Sequence, residues 1–247
     1  MKQKLYNLFH KMGIEVRLLT SIEAEKNTKT FNPFQQLLEL HKQPNCVIFD
    51  VGAYDGRISK TFFEKFPKAH IHAFEPFPQS FEKLRNLQKS YQNLVIHNCA
   101  ISDSIGNKDL HVNSFAPTNS LYESNTINAY HDNLMKTNNI ISVKTDTIDN
   151  YCKSNSIETI DILKMDIQGG ELDALKGALQ LLLKGGITYI YVEVEFIEMY
   201  KKQPLFLDIA NYLKEFGFTL YNLYHPNIDS TGQLMWADAL FVLNTSI

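Results

Sequence analysis

Cysteine is scarce in this chain, and its placement excludes two kinds of architecture. Cys46, Cys99 and Cys152 are the three cysteines among 247 residues, far apart and without a C-x-x-C spacing. An odd, sparse set inside apolar stretches argues against a disulfide frame or a zinc site and fits reduced core thiols in a cytoplasmic protein. Long apolar runs are missing as well. No stretch approaches the roughly 18 apolar residues that cross a bilayer, so no transmembrane segment is expected. The first residues, MKQKLYNLFHKMGIEVRLL, carry lysines but no continuous apolar core, and do not read as a signal peptide. An excess of positive charge is absent too: 24 Lys and Arg against 27 Asp and Glu leave a formal charge of −3, which predicts no nucleic-acid partner. Internal repeats and low-complexity tracts are not found. None of this speaks against a homo-oligomer, which stays open.

What is present is ordinary globular composition, with 44% hydrophobic and 21% charged residues in a length that suits one domain with a substantial core. Leu5, Phe9 and Met12, then Phe34, Leu37 and Leu38, recur at spacings of three to four and predict helices on either side of a polar stretch, Glu23 to Thr30. This marks residues 1–45 as an N-terminal helical extension and 46–247 as the main domain. In that domain apolar strands alternate with helices. Cys46–Val51, His70–Phe74 and Leu94–Ser102 read as strands, with helices over Ile58–Phe66 and Ser80–Tyr91 between them. Ile160–Asp166 and Ile187–Phe196 read as further strands, with one helix over ELDALKGALQLLLK between them. TLYNLYH and ALFVLN supply a sixth and a seventh strand. The order predicts an α/β fold with a mostly parallel sheet covered by helices on both faces. Residues 103–140, rich in Asn, Ser and Thr with one short strand candidate at Lys108–Asn113, interrupt the rhythm. The segment is too long for an ordinary connection, which points to a covering role over a bound acceptor. Tyr122 and Tyr130 in it suit a sugar-like surface.

The first strand runs into VIFDVGAYDG, Val47 to Gly56, a turn that brings backbone close to a ligand. A dinucleotide fingerprint starting at Gly52 would need glycines at positions 54 and 57, which hold Tyr54 and Arg57. A P-loop needs one more residue before its second glycine and a lysine after it. Both phosphate readings fail. S-adenosylmethionine has no phosphate but carries a ribose diol, and Glu75, at the end of the second strand and twenty-five residues after Asp50, stands where a ribose acceptor is expected. Pro76 then turns the chain outward, and Phe77 is placed to pack near an adenine.

Five pieces in order, DVGAYDG (Asp50–Gly56), FEPFPQSFEKL (Phe74–Leu84), NCAISDSIG (Asn98–Gly106), TIDNYC (Thr147–Cys152) and IDILKMDIQGGELDALKGA (Ile160–Ala178), resemble the FkbM-type methyltransferases over about two-thirds of the chain. The resemblance implies a class I methyltransferase fold with a seven-stranded, Rossmann-like sheet, S-adenosyl-L-methionine as methyl donor, and O-methylation of a hydroxyl on a sugar, cell-surface glycan or natural-product scaffold. Two departures stand out. The family has Asn where Tyr54 stands, and Val-Glu-Gly where this chain has Ile167, Gln168 and Gly169; the second removes one acid near the expected reaction centre.

The candidate cofactor residues are Asp50, Gly52, Tyr54, Asp55, Gly56, Glu75, Pro76, Phe77, Ala100, Ile101, Ser102 and Asp166. Gly52 and Gly56 also fit plain turn glycines, Asp50 and Asp55 could brace the loop, and Ile101 could be core. The candidate catalytic residues are Asp166, Glu171, Glu195 and His225. Asp166 ends the fourth core strand at the sheet's carboxyl edge, where open α/β folds place ligands. Glu171 also suits the first turn of a helix on electrostatic grounds alone. Carboxylates such as Glu193 and Glu195 in a core strand are costly unless they face a cleft, and His225 has the proton affinity of a general base. Asp166, Glu171 and Glu195 could offer oxygen ligands to magnesium, but no spacing supports it and no metal is assigned. A direct methyl transfer needs no covalent intermediate, in keeping with the lack of a credible Ser/His/Asp or Cys/His set. The competing readings are a nicotinamide-dependent oxidoreductase or sugar epimerase, and a non-catalytic binding protein on the same fold.

Overall fold

A computed structural model describes residues 32–126 and 129–244, without the side chains of Ala129 and Tyr130. The expected helical pattern at Leu5, Phe9 and Met12, the polar stretch Glu23–Thr30 and the Tyr130 side chain lie outside the described residues.

After α1 (Pro33–Leu40), the elements are β1 (Val47–Val51), α2 (Arg57–Lys65), β2 (His70–Phe74), α3 (Pro78–Gln88) and β3 (Leu94–His97). Then come β4 (Ala100–Ile101), β5 (Gly106–Asn113), α4 (Ala129–Leu134), β6 (Thr137–Asp146), α5 (Ile148–Ser154) and β7 (Ile160–Met165). The chain ends with α6 (Glu171–Lys176), α7 (Leu179–Leu183), β8 (Ile187–Glu195), α8 (Phe206–Glu215), β9 (Phe218–Ile228) and β10 (Leu234–Leu243). Seven strands form one sheet in the order β3-β2-β1-β7-β8-β10-β9. The pairs from β3 to β8 are parallel, and β10 runs antiparallel to both neighbours. The expected mostly parallel α/β sheet is therefore what forms.

Strand alternation divides the core. Phe49, Val51, Leu163 and Met165 face a cluster with α5, α6, α7 and α8, while Ile48, Ile71, Ile162 and Tyr189 face one with α1, α2 and α3. Strands buried on both sides read as unbroken apolar runs, which is why β1, β7 and β8 stand out in the sequence. Local signals set several helix starts. Pro78 opens α3, where its missing N–H costs nothing, and the Thr147 hydroxyl caps α5 by accepting from the Asn150 amide at 3.1 Å.

The structure differs from expectation in four places. The third strand breaks in two: Asn98 donates to the Glu75 and Pro76 carbonyls at 2.9 and 3.1 Å, so β3 stays in the main sheet and β4 joins a second, three-stranded sheet, β4-β6-β5. The segment 103–140 is largely this second sheet. β5 and β6 pair antiparallel, and the expected boundary at 140 falls inside β6. Because β6 buries little beyond Val143 and Thr145, its polar residues hid its length. The single helix after Asp166 is two, α6 and α7, broken at Gly177, where a Cβ would lie 2.2 Å from the Ser102 carbonyl oxygen. Finally, β9 and β10 are longer than the expected sixth and seventh strands, so His225, the last residue of the expected sixth strand, lies inside β9.

Candidate active site

The carboxyl ends of β1, β2, β4 and β7 surround a cavity of about 410 Å³, within the roughly 300–1,000 Å³ of small-molecule sites. Of the expected cofactor residues, Gly52, Tyr54, Asp55, Glu75, Pro76, Ala100, Ile101 and Asp166 line it. Asp50, Gly56, Phe77 and Ser102 do not. Each of these four has another partner. Asp50 is fully buried on the α2 face, opposite Lys164 in the β1–β7 register. There it takes the Ser59 hydroxyl at 2.6 Å and pairs with the Lys164 ammonium at 3.0 Å. Gly56, at φ 82°, packs against α3; a Cβ there would lie 2.5 Å from Leu87. Phe77 belongs to an apolar cluster with Leu110 and Val143, and the Ser102 hydroxyl takes Lys108 Nζ at 2.7 Å.

Gly52 lines the cavity for a reason internal to the chain. At φ 76°, a Cβ would lie 1.9 Å from the Asp166 carbonyl oxygen, so only glycine lets the turns after β1 and β7 meet. Glu75 ties the turn to β2: its Oε2 accepts from the Tyr54 amide and its Oε1 from the Phe77 amide, both at 2.8 Å. Burial pushes its carboxyl up to about 7, against the pull of those two amides. The lone pairs left on both oxygens suit a ribose diol, and the apolar wall of Ala100, Ile101 and Leu110 suits an adenine. This donor and acceptor set fits S-adenosylmethionine.

Lys164 was not foreseen, though a lysine inside the apolar run IDILKM is a readable signal. Its Nζ donates to the Gly52 carbonyl at 3.0 Å and pairs with Asp50, under the floor of the cavity. Burial alone would lower its pKa, but Asp50 and Asp166 raise it above the ordinary lysine value.

A second cavity, about 920 Å³, adjoins the first and shares Asp166 and Gln168 with it. Glu193 and Glu195 line it, on the side of β8 that also carries Tyr191, together with Tyr200, Met235 and Trp236. Gln168, at φ 59°, is the connecting side chain. Its Nε2 donates to Asp166 Oδ1 at 2.8 Å and to Glu193 Oε2 at 2.6 Å, and its Oε1 accepts from the Tyr200 hydroxyl at 2.7 Å. A glutamate at this position, as in the family pattern, could not donate to two carboxylates. Nothing in the sequence predicted the parts played by Gln168, Tyr200 and Trp236, which come from separate loops and strands.

Among the expected catalytic residues, Asp166 lines both cavities and Glu195 the second. Glu171 lines neither. It is buried, and its Oε1 accepts from the Ile167 amide at 2.8 Å; burial pushes its carboxyl up to about 7, with Asp166 adding to the effect. Burial, then Asp166 and Glu195, raise Glu193 well above the ordinary range; burial, then Glu171 and Asp166, do the same to Glu195. His225 is exposed outside both cavities, with its Nδ1 2.7 Å from Asp238. Among the described residues, no group of three or more His, Cys, Asp or Glu side chains is arranged to hold a metal ion, and no helix is long and apolar enough to cross a membrane.

A Rossmann-like sheet with one reversed strand, a cavity at its carboxyl edge that includes the buried Glu75 carboxyl, and a first turn without a phosphate-binding fingerprint fit a methyltransferase that uses S-adenosylmethionine. The methyltransferase FkbM domain matches residues 50–220, and the chain belongs to that family. It is 29% identical over 212 residues to the 2-O-methyltransferase NoeI of Sinorhizobium fredii, covering 83% of this chain and 86% of that protein. It is 25% identical over 163 residues to the hexuronic acid methyltransferase AglP of Haloferax volcanii, covering 64% of this chain and 60% of that one. In fold it is similar to the crystal structure of methyltransferase FkbM from Methylobacillus flagellatus, with a TM-score of 0.54 at 17% identity over 81% of this chain and 44% of that one. The nicotinamide-dependent and non-catalytic readings give way to methyl transfer.

Proposed function

We propose that the protein O-methylates a hydroxyl of a sugar, glycan or natural-product scaffold, with the methyl donor in the 410 Å³ cavity and the acceptor in the 920 Å³ groove. One observation carries the reading: the two spaces meet at Asp166 and Gln168, where a carboxylate pair, Asp166 and Glu193, shares the Gln168 amide. Bound S-adenosylmethionine supplies an electrophilic methyl group. The chain's own part is to orient the acceptor and take its proton, and the Asp166–Glu193 pair is the proton acceptor. Burial and mutual repulsion make Glu193 a stronger base than an exposed carboxylate once it is ionised. Tyr200 and Gln168 hold the pair in place. The names of the relatives, a 2-O-methyltransferase and a hexuronic acid methyltransferase, support a hydroxylated glycan as acceptor.

The test is transfer of labelled methyl groups from S-adenosylmethionine to a panel of glycans and hydroxylated natural products, with Asp166→Asn, Glu193→Gln and the double variant. Removing a general base lowers kcat by roughly 10²–10⁴-fold, while affinity for S-adenosylhomocysteine should persist in Glu193→Gln. Undiminished turnover in the double variant would overturn the assignment.

A further inference from the structure

The groove has an unusual charge balance. Asp166, Glu193, Glu195 and Asp229 line it, and no lysine or arginine does among the described residues. Elsewhere the chain neutralises its buried acids: Asp50 has Lys164, and Glu75 has two backbone amides. In the groove the compensation is neutral: the Gln168 amide donates to Asp166 and Glu193, and no lysine or arginine among the described residues joins them in the lining. Glu195 is 2% exposed, and what eases its ionisation is the neutral Gln203 side chain and its own backbone, not a cation. A buried carboxylate without a cation is costly, and this residue belongs to the lining of a cavity wide enough for a sugar ring. Trp236, opposite Glu195 in the β8–β10 register, adds an aromatic face to the same wall. Such faces attract cations as well as the C–H face of a sugar.

Building on the acceptor site above, we propose that the groove selects its acceptor by charge: it favours a glycosyl unit that carries a protonated amine and rejects one that carries a carboxylate or phosphate. The ammonium would supply the positive charge that the groove acids Asp166, Glu193, Glu195 and Asp229 do not find in a lysine or arginine of its lining among the described residues. An anionic ring would bring a further negative charge into a space already lined with carboxylates, where His131 is the one lining side chain among the described residues that can carry a positive charge.

The probes are the methyl β-glycosides of glucosamine, glucose and glucuronic acid, titrated calorimetrically into the full chain saturated with S-adenosylhomocysteine. The glucosaminide should bind about tenfold or more tightly than the glucuronide, with the glucoside between them, as expected for charge pairs near a protein surface. Two variants separate charge selection from shape. Ser230→Lys places a cation on the groove wall, outside the groups assigned to proton transfer, and should narrow or reverse the ratio. Glu195→Gln should bring the ratio toward one while S-adenosylhomocysteine binding stays intact. A glucuronide that binds as tightly as the glucosaminide, or a ratio unmoved by both variants, overturns charge selection and leaves the methyl-transfer reading standing. If none of the three glycosides binds while S-adenosylhomocysteine does, the groove is not a glycosyl site, and the acceptor half of the proposed function falls with it.

Discussion

Two buried acid groups in this molecule are treated in opposite ways. Beneath the cofactor cavity, Asp50 sits opposite Lys164 on paired strands, and the ammonium also reaches the Gly52 carbonyl. Along the acceptor groove, Glu193 and Glu195 lie on one strand with Glu171 and Asp166 near enough to raise their proton affinities. The first cluster is closed, its acid answered by a lysine of the chain, and that lysine props the Gly52 turn. The second is open in that it borders the larger cavity, whose lining has no lysine or arginine among the described residues. A cluster closed by its own cation is scaffold; an acid-lined cavity without one is what the proposed acceptor site would use to choose its ligand.

The sharpest way to break that contrast is Lys164→Met. If the Asp50 pair is scaffold, leaving Asp50 buried and alone should cost about 3–5 kcal/mol in urea unfolding, and Asp50→Leu in the same chain should return much of it. A loss under about 1 kcal/mol would mean that water already reaches Asp50 and that the cluster is less closed than its geometry implies.

Glu75→Gln comes next. It keeps the shape but replaces one acceptor oxygen with a donor facing a backbone amide, and a hydrogen bond to a charged group is worth about 1.5–3 kcal/mol. S-adenosylhomocysteine affinity should fall by roughly 10- to 100-fold. In the parent protein the affinity should also weaken as pH drops through about 7, where the Glu75 carboxylate takes a proton.

The open cluster should reveal itself through pH. Glu171, Glu193 and Glu195 all have folded pKa values raised above those of the unfolded chain. Stability they contribute is therefore fully present below the ordinary carboxylate range and lost as pH rises through their folded values, the reverse of a salt-bridged acid. Unfolding free energy should decline from about pH 5 upward, by about 1.4 kcal/mol for each unit of displacement. Glu195→Gln should flatten the slope; a parent curve that rises steadily to pH 8 would contradict the open cluster.

His225 gives the smallest effect. Exposed and paired only with Asp238, it should tolerate Ala with activity within about threefold and stability within about 0.5 kcal/mol. A hundredfold loss of kcat would restore it as a candidate base.

The parts that could be read ahead of the structure are those governed by neighbours along the chain. Apolar runs gave away the buried strands, and Glu75 marked the end of the second strand, beside the smaller cavity; Pro78 and Thr147, which start helices, are signals of the same local kind. Even there the reason for a residue could be misjudged. Gly52 is glycine because the Asp166 carbonyl approaches it, and Gly56 because α3 does.

By itself, the sequence determined the alternating strand and helix order, the absence of a phosphate loop and the family, because burial pattern and turn chemistry are written into consecutive residues. Only the tertiary structure decided that Lys164 answers Asp50, that Gln168 joins two carboxylates and a tyrosine, and that Glu195 and Trp236 share one wall of the larger cavity. These partners come from strands and loops far apart in the chain, and pairing across a sheet depends on register, which no local spacing records.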